Sequence, residues 1–140
     1  RGLGDVYKRQ FLMCYHKDRG DNMENKIRIS TFDNGLIIKI SGELDSYKTL
    51  AYKTKIRKEM ERYQPLYLIF DFKNLQFLDS AGIGLVLGRY NEVKNYGGEV
   101  GVIGLSSYAE KIVKISGLSS VIGIYKSLAQ FKKEVEVKNG

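Results

Sequence analysis

Seven residues constrain this chain more than any others. Leu66–Phe72 (LYLIFDF) is a short, nearly continuous apolar run, rich in aromatics, set between Pro65 and Lys73. It falls well short of the roughly 18 residues that argue for a bilayer span, and no apolar run in the sequence approaches that length. It reads as a strand buried on both faces, and such a strand belongs in the middle of a sheet with cover on each side.

The flanking sequence supplies the sheet and its cover. Ile27–Phe32 and Leu36–Ile40 are β-rich runs split by Asp33-Asn34-Gly35. Asn-Gly between such runs predicts a hairpin, because the central turn residues must tolerate positive φ. Gly42-Glu43-Leu44-Asp45 ends the second strand. Asp45 or Ser46 then caps a helix over Tyr47–Tyr63, with Ile56, Met60 and Tyr63 at helical spacing. Pro65 marks the exit from that helix. Lys73–Leu78 is expected to be a loop. Ser80–Tyr96 is expected to be a helix with Ile83, Val86, Leu87, Tyr90 and Val93 on one face, stopped by a left-handed cap at Gly97-Gly98. Glu99–Gly104 is the next strand. Ser107-x-x-Glu110 reads as a capping box opening a helix that carries Ile112, Val113 and Ile115 and closes at Gly117. Val121–Tyr125 is the last strand, and Ser127-x-x-Gln130 a second capping box before a helix with Leu128, Phe131 and Val135 inside.

The order β-β-α-β-α-β-α-β-α predicts an α/β domain. Its mixed sheet opens with an antiparallel hairpin and continues through right-handed crossovers with about four helices. Hydrophobic residues make up 43% of the 140, enough for a real core. Arg1–Asn22 stands apart, with neither helical nor strand periodicity. It lacks the continuous apolar stretch and small-residue cleavage site of a signal peptide. Its opening, RGLGDVYKRQ, reads as translated adapter or vector sequence. Arg19-Gly20 can be encoded by a purine-rich ribosome-binding sequence just before Met23. The expectation is a non-native or disordered leader over residues 1–22 and one domain over 23–140.

The chemistry available is narrow. The single Cys (Cys14) and single His (His16) both fall in that leader, so from Met23 onward the chain has neither. This takes away thiol nucleophiles, disulfides, imidazole bases and Cys/His zinc sites, leaving only carboxylates as formal metal ligands. No phosphate-loop or nucleophile-elbow motif occurs. The net charge of +7 is scattered. Knots such as Lys53, Lys55, Arg57 and Lys58 read as a solvated helix face, not a nucleic-acid interface.

One segment stands out. Phe77-Leu78-Asp79-Ser80-Ala81-Gly82-Ile83-Gly84 opens a helix after the presumed central strand, where open α/β sheets usually place their sites. A hydroxyl at Ser80 lies near unpaired N–H groups and the positive end of the helix dipole, which would stabilise a phosphate. Asp79 beside it sharpens the change that about two added negative charges would bring. Gly82, Gly84 and Gly88 each cost helix stability, about 1 kcal/mol relative to Ala. They make sense where the helix lies close to another backbone or to a partner. By local pattern alone, Asp79-Ser80 is also an ordinary helix cap. Asp45 and Asp79 could lie near each other, but no base or cofactor motif supports them as a catalytic pair.

Taken together, Gly42-Glu43-Leu44-Asp45, Phe77-Leu78-Asp79-Ser80-Ala81-Gly82-Ile83-Gly84, Leu87-Gly88-Arg89-Tyr90, Gly97-Gly98-Glu99 and Ser116-Gly117-Leu118 resemble the anti-sigma-factor antagonists of spore-forming bacteria. These belong to the STAS domain family. The resemblance runs through Met23–Val137 and is closer to the sporulation, sigma-F branch than to the general-stress branch. It implies a cytoplasmic, non-enzymatic protein without cofactor, metal, nucleic-acid or membrane partner. Its unphosphorylated form would bind an anti-sigma factor that is also a serine kinase, releasing a sigma factor. Phosphorylation on Ser80 would end that binding, and a PP2C-type phosphatase would restore it. By the same resemblance Asp79 flanks the phosphosite, Asp45 lies close by, and Ala81, Gly82 and Ile83 form part of the kinase-facing surface. Family members often carry a second hydroxyl where this chain has Ala81, which leaves Ser80 as the sole acceptor in that loop. The alternatives are a STAS-domain subunit of another bacterial complex, in transport or stress signalling, and an enzyme or nucleotide-binding protein using the Ser80 loop.

Overall fold

The computed structural model describes residues 26–139. The expected leader over residues 1–22, with Cys14 and His16, lies outside the described residues, as does Met23, where the domain is expected to begin. The elements run β1 (Lys26–Phe32), β2 (Gly35–Leu44), α1 (Ser46–Tyr63), β3 (Tyr67–Asp71), β4 (Leu75–Leu78), α2 (Ser80–Lys94), β5 (Glu99–Ile103), α3 (Ser107–Ser116), a 3-10 turn (Leu118–Ser120), β6 (Gly123–Tyr125) and α4 (Leu128–Asn139). The strands lie in the order β1-β2-β3-β5-β6, with β4 joined to the far end of β2. Among the described residues only the β1–β2 pairing is antiparallel. Over these residues the fold is the mixed α/β sheet with an opening hairpin and four helices that the sequence predicts.

β3 explains the layering. Leu68 and Phe70 point into a core shared with Ile56 and Met60 of α1, Val86 and Val93 of α2, and Val113 of α3. Ile69 between them points to the other face, where Phe131 and Val135 of α4 cover it with Ile103. Successive residues of a strand alternate faces, so a strand covered on both sides must be apolar throughout.

Several local expectations need correction. The hairpin turn is one residue earlier than Asn-Gly implies. Phe32 pairs with Gly35, so Asp33 and Asn34 form the turn, and Asp33 takes the positive φ of 42°. Gly35 is required for space instead, since a Cβ there would meet Tyr67 O at 2.8 Å. The expected loop Lys73–Leu78 contains β4, which pairs in parallel with Gly42–Leu44 and so extends β2 beyond Ile40. Leu87 is 38% exposed, whereas Leu85 and Arg89 are buried in its place. The buried arc of α2 turns toward α1, where Glu92 accepts from Arg89 and forms an ion pair with Arg57. Ser106, not Ser107, caps α3. Its Oγ accepts from Ala109 N at 3.1 Å, and Glu110 pairs with Lys114 rather than closing a box. The last strand shrinks to Gly123–Tyr125 because Leu118–Ser120 coil into the 3-10 turn. At the second box Ser127 Oγ accepts from Gln130 N as expected, while Gln130 reaches back to Lys126 N, one residue before the cap. α2 ends at Lys94, short of the expected Tyr96, with Asn95 still right-handed at φ −60°; the expected left-handed residue follows at Gly97, φ 84°, and Gly98 N donates to Val93 O at 2.9 Å.

Candidate functional site

The end of the β2–β4 pair builds the site. Leu44 and Leu78 are register partners in parallel strands, and both are fully buried. The next residue in each chain segment is an aspartate, and the one after is a serine. Two Leu-Asp-Ser runs therefore leave the sheet side by side, and each turns into a helix.

Both aspartates cap those helices with extended backbone. Asp45 has φ −116° and ψ 179°, and its Oδ1 accepts from Lys48 N at 3.1 Å. Asp79 has φ −125° and ψ −170°, and its Oδ1 accepts from Ala81 N at 2.9 Å and Gly82 N at 3.3 Å. A capping carboxylate satisfies donors that the helix cannot and places negative charge at the positive end of the dipole. Asp45 is also 3.7 Å from Lys48 Nζ through its Oδ2.

Ser80 is the first residue of α2 and is exposed. The structure thus brings Ser80, Asp79 and Asp45 together, with Ala81 half-buried next to them. Gly82 and Ile83 face inward. A Cβ on Gly82 would meet Leu78 Cδ1 at 2.5 Å and Leu44 Cδ2 at 3.0 Å, so this glycine lets the first turn sit on the two strand ends. Ile83 belongs to the core. The outward surface of the first turns of α2 is made by Ser80, Gly84 and Leu87. A Cβ at Gly84 or Gly88 would meet nothing within 4 Å, so the fold itself has no steric need of these two glycines.

Sequence reasoning did not single out Tyr47 and Leu50, which are 87% and 70% exposed in the first two turns of α1. The signal was available. The buried stripe through Tyr52, Ile56 and Met60 leaves Tyr47 and Leu50 on the outer arc of the helix. Among the described residues no group of three or more Asp, Glu, Cys or His is placed to hold a metal ion. No helix among them is long and apolar enough to cross a membrane.

Comparison with known proteins gives consistent matches. The family model described as "STAS domain" matches residues 26–131. An anti-sigma F factor antagonist of Paenibacillus polymyxa is 33% identical over 102 residues, covering 73% of this chain and 87% of that protein. The fold also matches SpoIIAA, an anti-sigma factor antagonist, in its unphosphorylated form. The TM-score is 0.69 at 25% identity, over 79% of this chain and 96% of that one. The phosphorylated form of the Bacillus cell fate determinant SpoIIAA matches with a TM-score of 0.62 at 25% identity, over 78% and 98% of the two chains.

Proposed function

The chain belongs to the STAS domain family, among its anti-sigma-factor antagonists, and from that premise we propose that it is switched by phosphorylation of Ser80. Antagonists of this kind are regulatory proteins and not enzymes. In this reading the unphosphorylated chain binds an anti-sigma factor that is itself a serine kinase, and a sigma factor is set free. The kinase then transfers the γ-phosphoryl group of ATP to Ser80 Oγ, with ADP and the hydroxyl proton leaving, which lowers the affinity, and a PP2C-type phosphatase hydrolyses the ester with water to release inorganic phosphate.

The observation that carries the proposal is the position of Ser80. Its hydroxyl is exposed at the first residue of a helix whose nearest donors, Ala81 N and Gly82 N, are already taken by Asp79. A phosphate on Ser80 therefore gains from the dipole without finding those donors free, and about two negative charges arrive beside a carboxylate. The added charge stays on the surface, where a partner meets it. Likeness to a relative seen in both unphosphorylated and phosphorylated forms supports the same reading. Gly84 and Gly88 fit it as well, because bare helix backbone on the Ser80 face allows a partner to come close.

Binding tests the proposal. Titration of the chain into the host cell's anti-sigma factor should give a complex. Ser80→Asp should weaken it by at least about tenfold, or about 1.4 kcal/mol. An affinity that Ser80→Asp leaves unchanged contradicts the proposal.

A further inference from the structure

The end of the sheet far from Ser80 carries a concave site of its own. β2 and β3 begin there, side by side, whereas Asp45 and Asp79 follow the ends of β2 and β4. The β1–β2 turn and the exit from α1 face each other across a cavity of about 350 Å³. Thr31, Asp33 and Asn34 line one side, and Tyr63, Gln64 and Leu66 the other. Leu66 N donates to Asn34 O at 2.8 Å and ties the two sides together. The volume is at the small end of ligand sites, room for one ring rather than a chain.

The backbone singles out this cavity. Among the described residues, four glycines take a positive φ, and only two other residues join them, Asp33 at 42° and Gln64 at 45°. Both line the cavity. Glycine is the usual residue at each of these positions. Asp33 is the first central residue of the hairpin turn, and Asn34 after it has no positive φ. Gln64 is the left-handed cap of α1, its N–H donating to Met60 O at 2.7 Å, in the place that Gly117 takes at the end of α3. A side chain in that conformation is strained. The Asp33 side chain has a use within the fold, since its Oδ2 lies 3.5 Å from Lys132 Nζ. The Gln64 side chain makes no hydrogen bond among the described residues, and neither does that of Asn34 on the opposite side.

We propose that this cavity binds an uncharged, hydroxyl-rich ring of monosaccharide size. Asp33 is the one charged residue in the lining, and Lys132 offsets it, so the site selects neither an anion nor a cation. The Asn34 and Gln64 amides each offer N–H donors and a carbonyl acceptor. A hydroxyl both donates and accepts, so neighbouring hydroxyls on a ring match an amide on each side, and the Asp33 carboxylate accepts from another. Tyr63 and Leu66, the latter 43% exposed, supply apolar surface for the C–H face of the ring. The strain at Gln64 then has a reason, because glycine would leave that side of the cavity without its amide. The site is remote from Ser80 and stands whether or not the chain is a phosphorylation switch.

The test is heteronuclear NMR titration of the full chain with myo-inositol, D-ribose and D-glucose, and with inorganic phosphate as the anionic comparison. At least one of the three rings should saturably shift the resonances of residues 31–35 and 63–66, with a Kd of about 1 mM, and phosphate should leave them in place. Gln64→Gly should raise the melting temperature by a few degrees, because it relieves the left-handed residue, and weaken ring binding by about tenfold or more. Asn34→Ala should weaken it to a similar degree. No saturable shift with any of the three rings, or shifts confined to other parts of the chain, overturns the proposal. Phosphate that saturably shifts the same residues overturns the choice of an uncharged ligand. A Gln64→Gly variant that melts higher and still binds as the wild type does removes Gln64 from the site and with it the reason for choosing this cavity.

Discussion

Leu44-Asp45-Ser46 and Leu78-Asp79-Ser80 are the same three residues, on paired strands, in the same backbone conformation. Only the second resembles a phosphoacceptor site, and the difference lies in the next turn of each helix. After Ser46 come Tyr47, almost fully exposed, and Lys48, folded back onto its own capping carboxylate. After Ser80 come Ala81 and Gly82, and the outer face of the helix continues through Gly84. Four residues on, on the same face of its helix, the first serine is followed by exposed Leu50 and the second by Gly84. On the proposal that Ser80 alone is the acceptor, a strand end, a capping aspartate and an exposed serine are not enough to make a site, and the surface of the first helical turns is what distinguishes the two.

The comparison can be broken in several ways. The largest contrast is expected in partner binding. Ser80→Asp should weaken it by at least about tenfold, and Ser46→Asp by less than about threefold. Equal losses in a titration would make the two strand ends equivalent and remove the reason for choosing Ser80.

Next in size is the glycine pair of α2. Gly82→Ala forces a methyl group onto Leu44 and Leu78 and should cost about 1–3 kcal/mol in a denaturant melt. Gly84→Ala meets open space and should instead stabilise the fold by up to about 1 kcal/mol. Same-sign effects from the two would show that the first turn of α2 does not rest on the strand ends.

The capping aspartates come third. Asp79→Ala and Asp45→Ala should each lower stability by about 1 kcal/mol, with the larger loss at Asp79, which accepts from two N–H groups rather than one. A larger loss at Asp45 in the same melt would reverse that ranking.

Much of this was legible in the amino-acid order. LYLIFDF announced a strand covered on both faces because apolar residues occupy both parities of the run, Leu68 and Phe70 on one face and Ile69 on the other. The Asp caps were legible because a short polar side chain before an apolar helical stripe has few other uses. β4 was not legible. Leu75 and Leu78 are buried while Gln76 and Phe77 are exposed, so the segment lacks the two-residue alternation of a strand. Its pairing with Gly42–Leu44 is also remote in sequence. The orientation of α2 was misjudged for a related reason. Arg89 occupies a core-facing position because Glu92 neutralises it, and a rule that puts arginine outside turns the helix the wrong way. At the site, Ser80 and Asp79 could be found by motif. Their adjacency to Asp45 depends on the Leu44–Leu78 register, which only the fold supplies.

Whether one of two matching serines is the switch is tested most directly by mass. The wild type, Ser80→Ala and Ser46→Ala would each be incubated with the host cell's anti-sigma kinase and ATP, and the intact mass read. One added phosphate, about 80 Da, is expected on the wild type and on Ser46→Ala, and none on Ser80→Ala. Phosphate retained by Ser80→Ala, or lost from Ser46→Ala, would contradict the assignment.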